Sequence, residues 1–298
     1  MTLQRETIVV GLGEVLWDLL PSGPRFGGAP ANFACSVAEL SAATTSVYML
    51  SSVGQDDLGR QAIESLEQHR VASKYISQTS YPTGTVDVHL SEQGIASYHF
   101  AKNTAWDHLS WSPSLSDLAT KTDAVCFGTL GQRSTSSQST ILRFLEEQKP
   151  SALRVFDVNL RSPFYSDEII SHSLERSNVL KLNDEELPVV SELCGLSGSP
   201  ESLLRQLAER YQLHAVALTR GPRGALLLRG SEIDDNPGQS AKVADTIGAG
   251  DAYTAALVLG LLDDQSTATI NQRGCRVAAY VCEQSGATPR IPREISVP

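Results

Sequence analysis

The segment Asp245-Thr246-Ile247-Gly248-Ala249-Gly250-Asp251 gathers the residue types that can handle a transferring anion. Gly248, Ala249 and Gly250 are small, so the backbone can approach a ligand and aim several N–H groups at it. The spacing of Ala252, Ala255, Ala256, Leu259 and Leu262 predicts a helix that begins here. A helix N-terminus adds a partial positive charge of about half an elementary unit. Together these predict an anion hole suited to a phosphoryl group in flight. Asp251 falls in the first helical turn, beside whatever fills that hole. A first-turn Asp is often only a dipole partner, but the Gly-Ala-Gly directly before it favours chemistry. An ionised Asp is a weak base; phosphoryl transfer through a loose transition state asks mainly for orientation and late proton acceptance.

A second segment, Phe26-Gly27-Gly28-Ala29-Pro30-Ala31-Asn32, opens a helix through Phe33, Val37 and Leu40. Pro30 suits a first helical position. The paired glycines allow close backbone approach, and Asn32 offers donor and acceptor to a hydroxylated ligand. Taken alone, this is equally a Gly-rich turn with a capping Asn. Other polar groups read blandly by themselves: Asp18 as a loop Asp, Arg161 as a surface ion-pair partner, and Asn183-Asp184-Glu185-Glu186 as an N-cap with an acidic first turn. Thr219-Arg220-Gly221-Pro222-Arg223-Gly224 is by itself an ordinary Gly-rich hairpin. Gly11-Leu12-Gly13 follows a strand, but Leu16 stands where a dinucleotide fingerprint needs its third glycine, and no Gly-x-x-x-x-Gly-Lys-Ser/Thr occurs. The six histidines show no metal-ligand spacing.

Positioning these groups requires a scaffold, and the hydrophobic pattern describes one. Short apolar or β-branched runs recur at Thr7–Val10, Ser46–Leu50, Ala124–Phe127, Arg154–Val158, Val179–Leu182, Ala215–Thr219 and Ala225–Leu228. Continuous rather than alternating hydrophobicity predicts strands buried on both faces, as in a parallel sheet. Leu58, Ile63 and Leu66, and again Leu203, Leu207 and Tyr211, have helical spacing between them. The alternation of the two predicts a doubly wound α/β sandwich. Two stretches depart from it. Residues 14–26 are polar and turn-rich, while 83–107 alternate through Thr85-Val86-Asp87-Val88-His89-Leu90, a Gly94 turn and Ser97–Ala101. Alternation predicts antiparallel strands with one exposed face, so the two stretches are expected to form a small lid sheet within a single domain spanning 1–298.

The chain has 298 residues, 24 basic and 34 acidic, for a net charge of −10 and a pI near 5.1. Its 41% hydrophobic content provides a core. The acidity argues against extended contact with nucleic acid or an anionic membrane face. The five cysteines are scattered without a C-x-x-C pair, so neither disulfides nor a structural zinc is expected. The polar start and the break at Gly11 predict neither signal peptide nor membrane span, hence a cytoplasmic protein.

The pair Gly27-Gly28-x-x-x-Asn32 and Asp245-Thr246-x-Gly248-Ala249-Gly250-Asp251 resembles both signature motifs of the ribokinase-like (PfkB) carbohydrate kinases. Within that family, Gly13-Glu14-Val15-Leu16-Trp17-Asp18, Ala105-Trp106-Asp107, Phe127-Gly128-Thr129-Leu130 and Lys181-Leu182-Asn183-Asp184-Glu185-Glu186 look nearest to bacterial fructokinases. The resemblance implies a three-layer α/β/α fold with a mainly parallel sheet and a β-lid over the sugar. It implies that Asp251 activates the sugar hydroxyl beside the Gly248–Gly250 hole, and that Asp18, Gly28 and Asn32 bind sugar hydroxyls. It puts Arg161 near the sugar or the transferring phosphate, Asn183 at phosphate, and Glu186 at Mg²⁺ through water. Thr219, Gly221 and Gly224 match the turn beside the nucleotide, and Asp245 and Ile247 the start of a monovalent-cation (K⁺) loop in some relatives. The expected function is an ATP-dependent sugar kinase acting on a primary hydroxyl, foremost of fructose. Ribokinase, 2-keto-3-deoxygluconate kinase or nucleoside kinase activity are alternatives, as is a silent sugar-binding regulator; the missing glycine disfavours a nicotinamide-dependent dehydrogenase. A phosphorylated acceptor would ask for a cationic clamp, for which Arg25 and Lys102 are candidates. Lid-sheet edges make a homodimer through the lid an expectation.

Overall fold

The computed structural model describes residues 6–90 and 96–296. The strands among the described residues are β1 (Thr7–Leu12), β2 (Leu16–Leu20), β3 (Gly23–Gly27), β4 (Thr45–Gly54), β5 (Ile76–Thr79), β6 (Gly84–Leu90), β7 (Ala96–Phe100), β8 (Ala124–Phe127), β9 (Leu153–Asp157), β10 (Val179–Asn183), β11 (Ala215–Thr219), β12 (Ala225–Arg229) and β13 (Glu232–Asn236), and the apolar runs become seven of them, β1, β4 and β8 to β12. Between them lie α1 (Ala29–Leu40), α2 (Asp57–Gln68), α3 (Pro113–Lys121), α4 (Thr135–Glu146), α5 (Asp167–Arg176), α6 (Glu186–Leu193), α7 (Pro200–Tyr211), α8 (Ala249–Leu262), α9 (Thr267–Cys282) and α10 (Arg293–Ser296).

Nine strands form one sheet in the order β13-β12-β11-β10-β9-β8-β1-β4-β5. Its interior pairings, from β4 through β1, β8, β9 and β10 to β11, are all parallel. Strand alternation sends Val9, Cys126, Val155, Val179 and Ala217 to one face, where they join Phe33 and Val37 of α1, Leu66 of α2 and the apolar body of α8 and α9. Val10, Phe127, Phe156, Leu180 and Leu218 go to the other face and meet α3 to α7 through Leu118, Phe144, Ile170, Val190 and Leu204. The result is the expected three-layer α/β/α sandwich. Helix α8 is buried on every side from Ala252 to Leu261, which explains its nearly unbroken apolar sequence.

Two features differ from the sequence expectation. β12 pairs antiparallel to β11, although its unbroken apolar run suggested a parallel strand. Both of its faces are nonetheless covered, Leu227 by one core and Leu226 and Leu228 by the other, so the run reports burial rather than direction. The strands β5 and β13 were not foreseen; as the two end strands of the sheet they carry polar sequences, Ile-Ser-Gln-Thr and Glu-Ile-Asp-Asp-Asn. The stretch 14–26, expected to contribute to a small sheet, supplies the hairpin of β2 and β3 in which Trp17 faces Phe26 and Asp18 faces Arg25.

That hairpin joins β6 and β7 in a second sheet, ordered β3-β2-β6-β7, with β2 parallel to β6 and the other pairings antiparallel. The expected Gly94 turn lies outside the described residues. Beneath the sheet, Leu16, Val86 and Val88 pack on Trp106 and Leu130. Arg133 fixes this base: its Nε and Nη2 each lie 2.7 Å from Asp107 and its guanidinium carbon 3.9 Å from the Trp106 ring centroid. In the large sheet the chain runs outward from β1 to β4 and β5, then in the opposite direction from β8 to β13. Open α/β sheets present their crevice at such a reversal, beyond the strands' C-terminal ends. The loops after β1, β8, β9 and β10 all emerge there.

Candidate active site

Helix α8 begins at Gly248, whose φ of 83° is left-handed. A Cβ at this position would lie 2.4 Å from the Ala287 carbonyl oxygen. Glycine is therefore required twice, by conformation and by space. The first turn, Ala249-Gly250-Asp251, has backbone N–H groups without intrahelical acceptors, as every helix start does. Ala249 N–H lies 3.4 Å from the Thr246 carbonyl, and Asp251 belongs to this same first turn.

Asp251 is half-buried. Burial, reinforced by the charge of Asp157, pushes its pKa up to about 6; Lys181, the Asn32 hydrogen bond and Arg161 act in the other direction. The carboxylate is thus ionised at neutral pH yet more basic than a solvated Asp, which suits late proton acceptance. Asn32, buried on α1, donates from Nδ2 to Asp251 Oδ2 at 2.9 Å, and its own Oδ1 is buried without a protein partner. Asn32 thereby touches the candidate base directly, a contact its sequence motif did not foretell. Gly28 caps α1 with φ 109°, and a Cβ there would stand 2.6 Å from the Glu14 carbonyl oxygen.

Asp18 lies on β2 of the second sheet and shares with Asp251 the influence of the Arg161 charge. Burial raises its pKa, against the pull of Arg161; Asp245 and Arg25 add smaller opposing effects. Arg161 is exposed, donates to its neighbour's carbonyl at 3.0 Å, and its charge reaches Asp18, Asp251 and Glu14 alike. Glu14 was not singled out from the sequence. It is 2% exposed, its Oε2 has no protein partner, and burial raises its pKa to about 7, with Asp251 contributing in the same direction. Asp157 and Lys181, also unassigned, form a buried pair below Asp251. The available signal was a charge inside an apolar run, as in Val-Leu-Lys-Leu.

On the far side of the helix start, Asn183 and Glu186 clasp each other. Asn183 Oδ1 accepts from the Glu186 N–H at 2.9 Å, and Glu186 Oε2 accepts from the Asn183 N–H at 2.9 Å. Glu186 Oε1 accepts in addition from Leu160 N–H at 3.0 Å, so this buried carboxylate ties the loops after β9 and β10 together. Burial raises its pKa. Each oxygen keeps a lone pair for water, which fits a Mg²⁺ held through water; among the described residues no acidic or His/Cys cluster could cage the ion directly. Thr219 ends β11 and starts the turn to β12. Gly221 (φ 56°) faces open space, whereas a Cβ on Gly224 would lie 2.0 Å from the Asn236 carbonyl oxygen, so Gly224 serves chain packing.

The Asp245 carboxylate fits a monovalent cation poorly. Oδ1 accepts from Ile247 N–H at 3.0 Å, and Oδ2 receives Arg25 Nη1 at 3.2 Å and Gly286 N–H at 3.4 Å. A guanidinium takes the place of a cation. Arg25, considered for a phosphate clamp, is committed to this pair, and Lys102 is exposed.

Residues 24–294 match the family described as pfkB family carbohydrate kinase. The chain is 30% identical to a fructokinase of Salmonella typhimurium over 84% of its own length and 83% of the relative's. It is 27% identical to an ATP-dependent 6-phosphofructokinase of Thermoanaerobacterium thermosaccharolyticum over 95% and 90%. The crystal structure of an uncharacterised sugar kinase from Pyrococcus horikoshii in complex with ATP superposes with a TM-score of 0.78, at 26% identity, over 97% of this chain and 96% of that one.

Proposed function

Since the chain belongs to the pfkB family of carbohydrate kinases and is an ATP-dependent sugar kinase, we propose that its acceptor is a primary hydroxyl of fructose and that Asp251 takes the proton. The observation that carries this is the position of Asp251, in the first turn of α8 directly after Gly248-Ala249-Gly250 and gripped by Asn32. The hydroxyl oxygen attacks the γ-phosphorus of ATP in line, the bond to the β-phosphate oxygen breaks, and ADP leaves. The hydroxyl proton passes to an Asp251 oxygen as the new ester bond forms. The N–H groups at the start of α8 face the equatorial phosphoryl oxygens and need no reorganisation as charge shifts onto them.

Asp18, Gly28 and the unpaired Oδ1 of Asn32 hold the other sugar hydroxyls, and Arg161 adds positive charge at the open side. Asn183, Thr219 and Gly221 border the nucleotide, with Gly224 shaping their turn. Mg²⁺, reached by Glu186 through water, would neutralise phosphate charge. The second sheet acts as a lid that keeps water from competing with the sugar. Because Arg25 is engaged by Asp245, a phosphorylated acceptor lacks one of its two candidate clamps.

The test is ADP release over fructose, ribose, 2-keto-3-deoxygluconate, nucleosides and fructose 6-phosphate. Fructose is expected to give the highest kcat/KM. A higher value for any other acceptor replaces fructose, and sugar binding without ADP release from any of them would favour the regulator.

A further inference from the structure

Lys181 sits at the middle of β10, between parallel neighbours, in a strand otherwise apolar up to its end. It is 6% exposed. A buried ammonium is costly unless something requires it. The register pairs it directly with Asp157 of β9, and both side chains lie on the α8 face of the sheet, following Val179 and Val155 two residues earlier. Nζ lies 3.0 Å from Asp157 Oδ1, and the single Thr254 hydroxyl hydrogen is shared between Asp157 Oδ2 at 2.9 Å and the Gly250 carbonyl at 3.0 Å. A Cβ placed on Gly250 would stand 3.0 Å from Nζ. The ammonium therefore touches the underside of the turn whose upper side forms the anion hole.

We propose that Lys181 is a positioning residue for phosphoryl transfer: held by Asp157, its ammonium lies under the Gly248–Gly250 turn and sets the charge environment of the Asp251 carboxylate. This rests on Asp251 being the proton acceptor. Neither the α8 dipole nor packing needs the pair, because a hydrophobic side chain would fill a central strand position at lower cost. What an apolar replacement could not do is stabilise a carboxylate and a phosphoryl group from beneath in a site of low dielectric.

The groups facing Asp251 can be named element by element. Asn32 approaches from α1, Lys181 from β10 and Asp157 from β9; Arg161 follows β9 and Glu14 follows β1. The Cys126 thiol of β8 senses Asp157, Asp251 and Lys181, and burial keeps it neutral. Lys181 itself faces Asp157, Glu186 and Asp251, and these carboxylates hold it charged against its burial. Within this set Lys181 and Asp157 push Asp251 in opposite directions. That opposition supplies a test that a purely structural role would not meet.

The measurement is the single-turnover rate of phosphoryl transfer against pH, with ATP and sugar saturating. Lys181→Met is expected to slow transfer by about tenfold or more while leaving sugar and nucleotide affinity near the parent's. Its acid limb should move to higher pH by about one unit, since the cation that favours the ionised carboxylate is gone. Asp157→Asn, which can still accept from Nζ, should move the acid limb to lower pH. Shifts of opposite sign support the proposal; shifts of the same sign, or none in folded protein, overturn it. If Lys181→Met does not fold, Asp157→Asn carries the test alone, and a limb that stays in place or rises sinks the idea. A retained rate in Asp251→Asn would instead strike the proton-acceptor assignment, leaving the two failures distinguishable.

Discussion

Asn32 and Asp251 stand 219 residues apart in the chain, yet the side-chain amide of the first donates to the carboxylate of the second at 2.9 Å. The contact joins the N-terminal turns of α1 and α8, the two helices that start at glycines. It leaves one lone-pair direction of Asp251 blocked by the amide and the rest free for a proton. Asp251→Asn preserves shape and an acceptor oxygen for Asn32 but removes the base. Turnover is expected to fall by about two to four orders of magnitude, with ATP and sugar still binding by calorimetry. Near-normal kcat would sink the assignment.

Glu14 carries a cost that should be visible in stability. Its folded pKa is raised to about 7 from an ordinary value of 4.5, so the folded protein keeps a proton that the unfolded chain has already lost. The Glu14 contribution to stability is constant below about pH 4.5, falls as pH rises through that interval, and is flat above 7; the difference amounts to about 3 kcal/mol. Glu14→Gln has no proton to lose. Relative to the parent, it should gain stability between pH 5 and pH 8 in urea unfolding, although the orphaned position of Oε2 costs it a constant amount. Parallel curves for the two proteins would refute the placement of an uncharged carboxyl there.

Much of this arrangement is legible in the amino-acid order. Ala124–Phe127 and Ala215–Thr219 are strands with the expected ends, because a run buried on both faces writes itself as unbroken hydrophobicity. Gly248 was legible because both steric demands at the start of α8 exclude a side chain. What was missed belongs to pairings across the fold. Lys181 and Asp157 appear as charges in apolar runs, and only the parallel register turns two anomalies into one ion pair. Glu14 is indistinguishable in sequence from a surface loop residue; its environment comes from the loops of β1, α1 and α8 meeting at the sheet's reversal. The edge strand β13 was hidden because one exposed side lets it be almost wholly polar.

Two glycines with similar backbone angles should respond differently to substitution. Gly248 has φ 83° and Ala287 2.4 Å from a would-be Cβ, while Gly221 has φ 56° and nothing within 4 Å. Gly221→Ala incurs only the left-handed penalty, on the order of 1 kcal/mol. Gly248→Ala adds a backbone collision that must displace either the start of α8 or residue 287. It is expected to lower stability by roughly 2–4 kcal/mol and to slow phosphoryl transfer, because the N–H groups move with the helix. Comparison of melting temperature and kcat for the two variants decides it: equal losses would mean that the turn relaxes freely.

The Arg25–Asp245 pair makes a prediction about ions. Where a carboxylate and carbonyls line a loop without a resident cation, K⁺ can bind and order it. Here Asp245 already receives a guanidinium from β3, together with the N–H groups of Ile247 and Gly286. Arg25 is partly exposed, so the pair adds little to global stability; its effect is local, holding a strand of the second sheet to the segment that leads into α8. Turnover should accordingly be the same in KCl and in tetramethylammonium chloride at equal ionic strength. Arg25→Met removes the built-in cation and leaves the Asp245 charge neutralised by no side chain, with only the N–H groups of Ile247 and Gly286 donating to it. That variant should lose activity in tetramethylammonium and recover part of it as K⁺ is titrated in. Strong K⁺ activation of the parent protein would show that Arg25 leaves Asp245 during the catalytic cycle, and absence of K⁺ rescue in the variant would show that the loop cannot hold a cation at all.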